Sequence, residues 1–305
     1  MNTIITDVTK RHDFVLLFDV ADGNPNGDPD AGNLPRVDPE TMQGLVTDVC
    51  LKRKVRNYVD TLSGDQETMK IYVQNKGIAL NDMHKRAYVA EGLKSTGTKQ
   101  KREDVDVARK WMCKNFYDIR MFGAVMTTDV NCGQVRGPLQ ITFARSIDQI
   151  IPMDVSITRV AVTKPEDTKA VEGESEVGGK TTEMGRKALL PYGLYKSYGF
   201  FSPSFAKDTG VTISDLEIFW AALLNMWDFD RSASRGMMAC RGLYVFSHEC
   251  QYGNAPANKL LELVAVPELK SSPRSFKEYK EKIESPVSGS LESLGFSGVT
   301  LTQLV

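Results

Sequence analysis

The sequence predicts an α+β protein built around one central sheet. Residues 13–20 form an apolar run with few breaks, as expected of a buried central strand. Two stretches, 38–62 and 215–229, carry apolar residues at helical spacing, and strand-like segments lie between and after them. The order strand, helix, strands, helix, strands is compatible with a ferredoxin-like sheet that carries insertions.

The first predicted strand runs into a loop rich in Gly, Asn, Pro and Asp at residues 23–30. A helix signal follows, with Asp38 as the N-cap, Pro39 at the first helical position and Glu40 in the first turn. Four apolar residues of this helix recur at the spacing of a core-facing stripe: Leu51, Val55, Tyr58 and Leu62.

The opposite side of this predicted helix carries Lys52, Arg53 and Arg56. A strand that feeds a glycine-rich loop and then a basic helix can handle anions, because loop amides and the helix dipole both favour phosphate there. A solvated charged face is the alternative interpretation of the same residues.

Two segments interrupt the predicted sheet. Residues 63–103 include a polar, basic stretch at 93–102, and 104–116 is again helical in pattern, which indicates a helical insertion. Residues 163–190 contain almost no apolar residues in their central part, and strand-like segments flank them on both sides, including a candidate at 155–162 directly before them. This pattern predicts a long hairpin that projects from the sheet, although a surface loop fits the composition equally well.

The C-terminal third returns to compact structure. Ser214 is the predicted N-cap of the helix at 215–229, and strand candidates lie at 241–246 and 260–266, whereas 267–305 is only weakly patterned. The segment 241–246 matches an RNA-binding strand consensus only in part, because Leu243 replaces an aromatic residue. Stacking of bases on the sheet face is therefore not expected.

Composition excludes several classes of protein. The net charge of −1 means that any surface for nucleic acid must be local. Five scattered cysteines without a C-x-x-C pair argue against a disulfide framework or a structural zinc site and favour a reducing cytoplasm. We expect neither a secretory signal nor a membrane span. Phosphate-binding Walker loops, dinucleotide fingerprints and nucleophile elbows do not occur, so no cofactor is expected.

Acidic residues cluster in and before the first loop, at Asp19, Asp22, Asp28 and Asp30. Convergent carboxylates of this kind could hold metal ions for cleavage of a phosphodiester. The favoured interpretation is that Asp, Asn, Gly and Pro simply form tight turns here.

Four segments, taken in order, resemble one known family: 22–29 with 35–39; 118–123 with 137–140; 191–195; and 231–236 before 243–246. With these motifs the chain resembles the backbone subunit of type I CRISPR Cascade complexes, in the RAMP superfamily, and is closest to the type I-C subtype. The resemblance implies an RRM-like palm at 1–62 and 117–305, a helical fingers insertion at 63–116, and a thumb hairpin at about 163–190.

The resemblance also implies a function. Several copies would polymerise along the spacer of a CRISPR RNA and, with other Cascade subunits, present it for pairing with target DNA, without nuclease activity. Each thumb would flip out one nucleotide at a regular interval. The protein would grip the sugar-phosphate backbone while the guide supplies sequence specificity.

Carried over residue by residue, the resemblance implies RNA contacts from the first loop and helix at Asn24, Asn26, Thr41, Gln43, Lys52, Arg53 and Arg56. In the thumb it implies Met184 as a wedge, with Lys180, Arg186 and Lys187 for phosphate. Further contacts are implied at Arg136, Gln140, Arg231 and Arg235. The alternatives that stay open are a metal-dependent ribonuclease using the acidic loop and a scaffold protein that binds no nucleic acid.

Overall fold

A computed structural model of the chain describes residues 3–64, 66–97, 100–161, 163–164, 182–269 and 271–305. Its strands are β1 His12–Gly23, β2 Gly27–Asp28, β3 Leu34–Pro35, β4 Gln43–Val46, β5 Gly123–Thr127, β6 Asn131–Arg136, β7 Leu139–Ile141, β8 Ala144–Gln149, β9 Met153–Arg159, β10 Glu183–Phe201, β11 Met237–His248, β12 Gly289–Ser290 and β13 Val299–Gln303. Its helices are α1 Asp48–Ser63, α2 Leu80–Ala90, α3 Arg102–Asn115, α4 Tyr117–Phe122, α5 Pro203–Thr209, α6 Ile213–Phe229, α7 Ala257–Leu261 and α8 Lys277–Lys280.

One large antiparallel sheet forms the centre of the molecule, which confirms the predicted mixture of helices and sheet. Along the sheet the strands follow the order β12, β13, β11, β1, β10, β8 and β4, while β7 and β9 also pair with β10. Strand β1 lies between β10 and β11 and is antiparallel to both. The first predicted strand is therefore the central one.

Both faces of β1 are buried, because its side chains alternate between two cores. Phe14, Leu16 and Phe18 pack with residues of α1 and α6 on one face. Val15 and Leu17 pack on the other face against the C-terminal part of the chain, including Leu260 and Tyr279. Burial on two sides explains why the run is apolar without alternation.

A third core belongs to the helical insertion and to the β5–β6 hairpin that follows it. Its buried members are Tyr72, Met83, Ala87, Tyr88, Ala108, Met112, Cys113, Phe116, Ile119, Met126, Val130 and Cys132. The insertion thus has a hydrophobic cluster of its own. Within the described ranges, none of the helices combines the length and apolarity needed to cross a membrane.

Arg120 ties the insertion to helix α6. Its guanidinium binds Asp215 through two bonds, Nε to Oδ2 at 2.9 Å and Nη2 to Oδ1 at 2.7 Å, and donates to the carbonyl of Thr68 at 2.8 Å. Asp215 also accepts from the amide of Thr212, which is the N-cap of α6 in place of the predicted Ser214. One carboxylate therefore both caps α6 and anchors the insertion.

The predicted start of the first helix at Asp38 is wrong. Asp38 accepts from the amides of Glu40 and Thr41 and so caps a local turn, and the chain then forms β4. Helix α1 begins only at Asp48, because Thr47 is its N-cap and accepts from the amide of Cys50. An Asx turn and a helix N-terminus share the same sequence signal.

One strand prediction for the C-terminal part is also wrong, and another strand lies where none was predicted. Residues 260–266 are not a strand, because Leu260 and Leu261 end helix α7 and pack with Val264 under the sheet. The weakly patterned tail contributes β13, which pairs with β11 from Tyr244 to His248. β13 forms despite its weak sequence pattern because its backbone pairs with β11.

The buried pair of Arg120 and Asp215 gives a prediction about stability. Asp215→Ala should lower the free energy of unfolding by about 3–5 kcal/mol, because it leaves a guanidinium buried and unpaired. Urea unfolding measures the change. The control is Asp106→Ala, which removes an exposed partner of Arg109 and should cost less than about 1 kcal/mol. Equal losses for the two variants would contradict the anchoring role.

Candidate nucleic-acid interface

Three segments meet at the end of β1: the loop that follows it, the turn at 231–236, and the stem of the β9–β10 hairpin. Gly23 pairs with Leu190 of β10, at the point where β10 passes from the hairpin into the central sheet. A Cβ at Gly23 would lie 2.1 Å from the carbonyl oxygen of Arg235. Gly236 has φ +59°, and a Cβ there would lie 2.4 Å from the carbonyl oxygen of Ala21. Two glycines thus let the loop and the turn cross in backbone contact.

The predicted RNA contacts Asn24 and Asn26 face the protein. The backbone amide of Asn24 donates to the carbonyl of Ser234, and its side-chain Nδ2 donates to the carbonyl of Asn33, both at 2.7 Å. The side-chain oxygen of Asn26 accepts from the amide and the hydroxyl of Thr47, each at 3.0 Å. These side chains hold the loop against the N-terminus of α1, so their observed role is to shape the surface.

The two arginines of the turn differ in their surroundings. Arg235 donates to the carbonyls of Asn24 and Pro25 at 3.1 and 3.2 Å and pairs with Asp230, so it is fixed in the structure. Asp230 also pairs with Lys54, a buried ammonium group whose pKa is lowered by desolvation. Arg231 is exposed and contacts only the side chains of Asp228 and Met237 among the described residues. Of the two, Arg231 faces solvent.

The expectation that the cations of the first helix lie on a solvent face is wrong. Lys52 is only 9% exposed and pairs with Asp48 at 2.9 Å. Arg56 pairs with buried Asp118 at 2.7 Å, and Arg53 donates to the carbonyl of Val73 at 2.7 Å.

The reason is that helix α1 also packs against the insertion. Asp118 accepts from the amides of Tyr72 and Val73, so Arg56 neutralises a carboxylate that organises this junction. At the other end of the helix Leu62, predicted to face the core, is 53% exposed. The basic side of α1 therefore serves packing within the chain.

The stem of the predicted hairpin is a two-stranded ladder in which β9 pairs with β10 from Met153–Leu189 to Arg159–Glu183. Met184 is 73% exposed, and Arg186 is exposed with Asp154 as its ion-pair partner at 3.2 Å. Alternation places Met184 and Arg186 on one face and the half-buried Lys187 on the other. The stem begins at Met153, before the predicted boundary, and Lys180 lies outside the described residues.

The remaining predicted contacts lie elsewhere. Thr41 and Gln43 line a cleft of about 520 Å³ at the sheet edge, where Nε2 of Gln43 donates to the carbonyl of Ser146 at 3.0 Å. Arg136 and Gln140 lie near the start of β1, because Gln140 pairs with Phe200 and Phe200 pairs with Asp13. Nζ of Lys52 donates to Oε1 of Gln140 at 3.5 Å, but the fourteen predicted residues that the structure describes do not form one patch.

The acidic residues of the ribonuclease alternative do not converge. Asp19 is buried on the second face of the sheet, where Arg241 and Tyr192 bind its Oδ2 at 2.8 and 3.1 Å and burial raises its pKa. Asp28 pairs with Arg36 at 3.4 Å. Across the described ranges, no group of three or more His, Cys, Asp or Glu side chains is placed to hold a metal ion.

The sequence matches the family model of CRISPR-associated protein Cas7 over residues 10–284. The chain belongs to the Cas7 family. A curated relative, the CRISPR-associated protein Cas7 of Haloferax volcanii, is 26% identical over 247 residues. That match covers 71% of this chain and 65% of the relative, so the chain spans slightly less than two thirds of the relative's length.

Several solved structures are similar to this Cas7-family chain. A chain of a CRISPR RNA-guided surveillance complex in a pre-nicking state has a TM-score of 0.48 at 13% identity, with 77% of this chain and 78% of that chain covered. A second surveillance complex gives 0.42 at 14% identity, covering 93% and 79%. A type III-B Cmr-beta complex bound to cognate target RNA gives 0.41 at 10%, covering 80% and 63%.

The crossing at the end of β1 gives a second prediction about stability. Gly236→Ala should cost at least about 2 kcal/mol of unfolding free energy more than Gly210→Ala, because its methyl group meets backbone and not open space. Gly210 also has positive φ, at +78°, but a methyl group added there would meet no atom within 4 Å. The difference between the two variants therefore measures the cost of the steric clash at Gly236. Urea unfolding measures both variants, and similar losses would refute a tight crossing.

Proposed function

We propose that this Cas7-family chain is a CRISPR RNA-binding backbone subunit of a Cascade-type surveillance complex, closest to subtype I-C. Copies of the chain would polymerise along the guide spacer in the cytoplasm, with other Cascade subunits, and present the guide to target DNA. The proposed role is binding and not catalysis. The observation that carries it is the meeting of loop, turn and hairpin stem at the end of β1.

The architecture supports a palm, fingers and thumb. The strand order β11, β1, β10, β8, with α1 and α6 on one face, is the order of a ferredoxin-like palm. The insertion at 63–116 has its own hydrophobic cluster, as fingers would. The β9–β10 stem is the base of the proposed thumb, and β10 connects it without interruption to the palm.

The chemistry of the surface supports binding of a sugar-phosphate backbone. Arg186 and Arg231 are exposed, and within the described part of the chain each forms an ion pair only with an exposed or half-exposed carboxylate that a phosphate can replace. The buried Lys54 and the mostly covered Arg56 are already neutralised within the fold. A few exposed cations on a near-neutral chain favour a local binding surface for RNA. This surface, at the hairpin stem with Met184 and Arg186 and at the turn with Arg231, is the proposed guide track.

Removing three cations of the stem and the turn, the exposed Arg186 and Arg231 and the half-buried Lys187, tests the proposed track. The triple variant Arg186→Ala, Lys187→Ala and Arg231→Ala should bind guide RNA about tenfold more weakly at low salt and lower the slope of log K against log salt by about 2, because three phosphate contacts are lost. Fluorescence anisotropy at several salt concentrations measures both quantities.

A matched control removes three other exposed, paired cations: Lys76→Ala, Lys85→Ala and Arg109→Ala. Their loss changes the net charge equally but leaves the end of β1 intact. If both triple variants lower the affinity and the slope to the same extent, the effect is one of overall charge and the proposed track is wrong.

The role of Met184 as a wedge gives a separate test. In particles assembled on guide RNA, chemical probing of the bases should show reactive positions at a regular interval. Met184→Ala should weaken this periodic reactivity, because the exposed side chain that separates two bases is lost, whereas Met184→Leu should retain it. An unchanged pattern with Met184→Ala would assign the wedge to another residue.

A further inference from the structure

A second cleft lies at the opposite end of β1 from the proposed guide track. It has a volume of about 440 Å³ and is lined by residues from four parts of the chain, among them Arg11, Asp13, Arg136, Gln140, Phe205 and Tyr252. With twelve residues, β1 separates the two ends by about 35–40 Å. This cleft is therefore a site of its own.

The cleft is lined by two arginines, Arg11 and Arg136, and one carboxylate, Asp13, so it carries one cation in excess. Asp13 is fully buried and is bound by Arg11 through two contacts, at 3.2 Å from Nε and 2.9 Å from Nη2. His248 also binds Asp13, at 3.0 Å from Nε2, while its Nδ1 accepts from the amide of Asn254. Arg11 thus neutralises Asp13. Among the described residues, no carboxylate lies within ion-pair distance of Arg136.

The cleft also offers flat apolar surfaces. The guanidinium of Arg136 lies over the ring of Phe205, 4.3 Å from its centroid, which fixes the plane of the cation and leaves its N–H groups for a ligand. Tyr252 is 76% exposed, although a ring of this size is usually more deeply buried. Gln251 adds an amide donor and acceptor at the wall, whereas the amide of Gln140 is held by the carbonyl of Gly137 at 3.3 Å and by Nζ of Lys52 at 3.5 Å.

We propose that this cleft binds one nucleotide of a single-stranded nucleic acid, with the base stacked on Tyr252 and its phosphate held by Arg136. A surplus cation beside an exposed aromatic ring and the amide of Gln251 matches the three parts of a nucleotide: phosphate, base face and base edge. An inorganic anion would need no ring, and an apolar peptide would leave the cation unpaired.

Photo-cross-linking of the full chain tests this proposal. The probes are short oligouridine and oligodeoxyuridine strands in which one base carries a 5-iodo group, so that the two arms distinguish RNA from DNA. Trypsin releases residues 242–259 as one peptide, and fragmentation separates Tyr252 from Tyr244. We expect cross-links at Tyr252 with at least one of the two probes.

Four variants complete the test. Arg136→Gln should lower the yield at Tyr252 by about fivefold or more, and Tyr252→Ala should lower the affinity for the oligonucleotide similarly, because stacking on one base is worth that much. Tyr252→Phe should retain affinity, and Arg109→Ala is the control for charge. The three residues changed in this test lie at the surface, and thermal unfolding checks that the variants are folded.

The outcomes separate this proposal from the guide track. Labelling of the β9–β10 stem without any cross-link at Tyr252 would refute nucleotide binding in the cleft and leave the guide-track proposal standing. Labelling of Tyr252 that Arg136→Gln does not reduce also overturns it, because the phosphate contact is then absent. Labelling of Tyr252 alone supports the cleft and counts against the guide track.

Discussion

Strand β1 is buried on both faces, and the positions of both proposed binding surfaces depend on this burial. One face of β1 packs with α1 and α6, and the other packs with the C-terminal part of the chain. Burial of both faces fixes the register of β1 against β10 and β11, since a shift by one residue would exchange the two sets of side chains. The loop at one end of β1 and the cleft at the other are consequently held at a constant separation.

The cations of the chain divide into two groups with different roles. Lys54 and Arg120 are buried, Arg56 is mostly covered, and each is paired with a carboxylate, so they join elements of the fold. Arg186 and Arg231 lie at the surface with exposed partners. Removing Arg56 or Arg120 would leave a buried carboxylate without its cation, whereas an exposed cation can exchange its partner for phosphate at little cost. The near-zero net charge conceals this division.

The sequence was sufficient to predict those strands and helices whose formation depends on the periodicity of their own residues. The apolar run at 13–20 and the stripe of α6 identified the core because their periodicity is local. Predictions failed where a signal is shared or a partner is distant. Asp38 forms an Asx turn, and the sequence signal of such a turn is the same as that of an Asp at a helix N-terminus. Arg56 and Asp118 are 62 positions apart, so a pattern of charges could not show that the pair is internal. For the same reason the sequence did not identify Tyr252 and Phe205 beside Arg136.

Strand β10 runs unbroken for nineteen residues, through both the hairpin stem and the central sheet. The stem and the central sheet therefore share one continuous strand, so the direction of the stem follows from the path of β10 in the sheet. A load applied to the stem by a bound strand would be transmitted along β10 to β1 as a bending force. A stem that continues directly from the central sheet suits the proposed subunit, which would repeat one geometry along a filament.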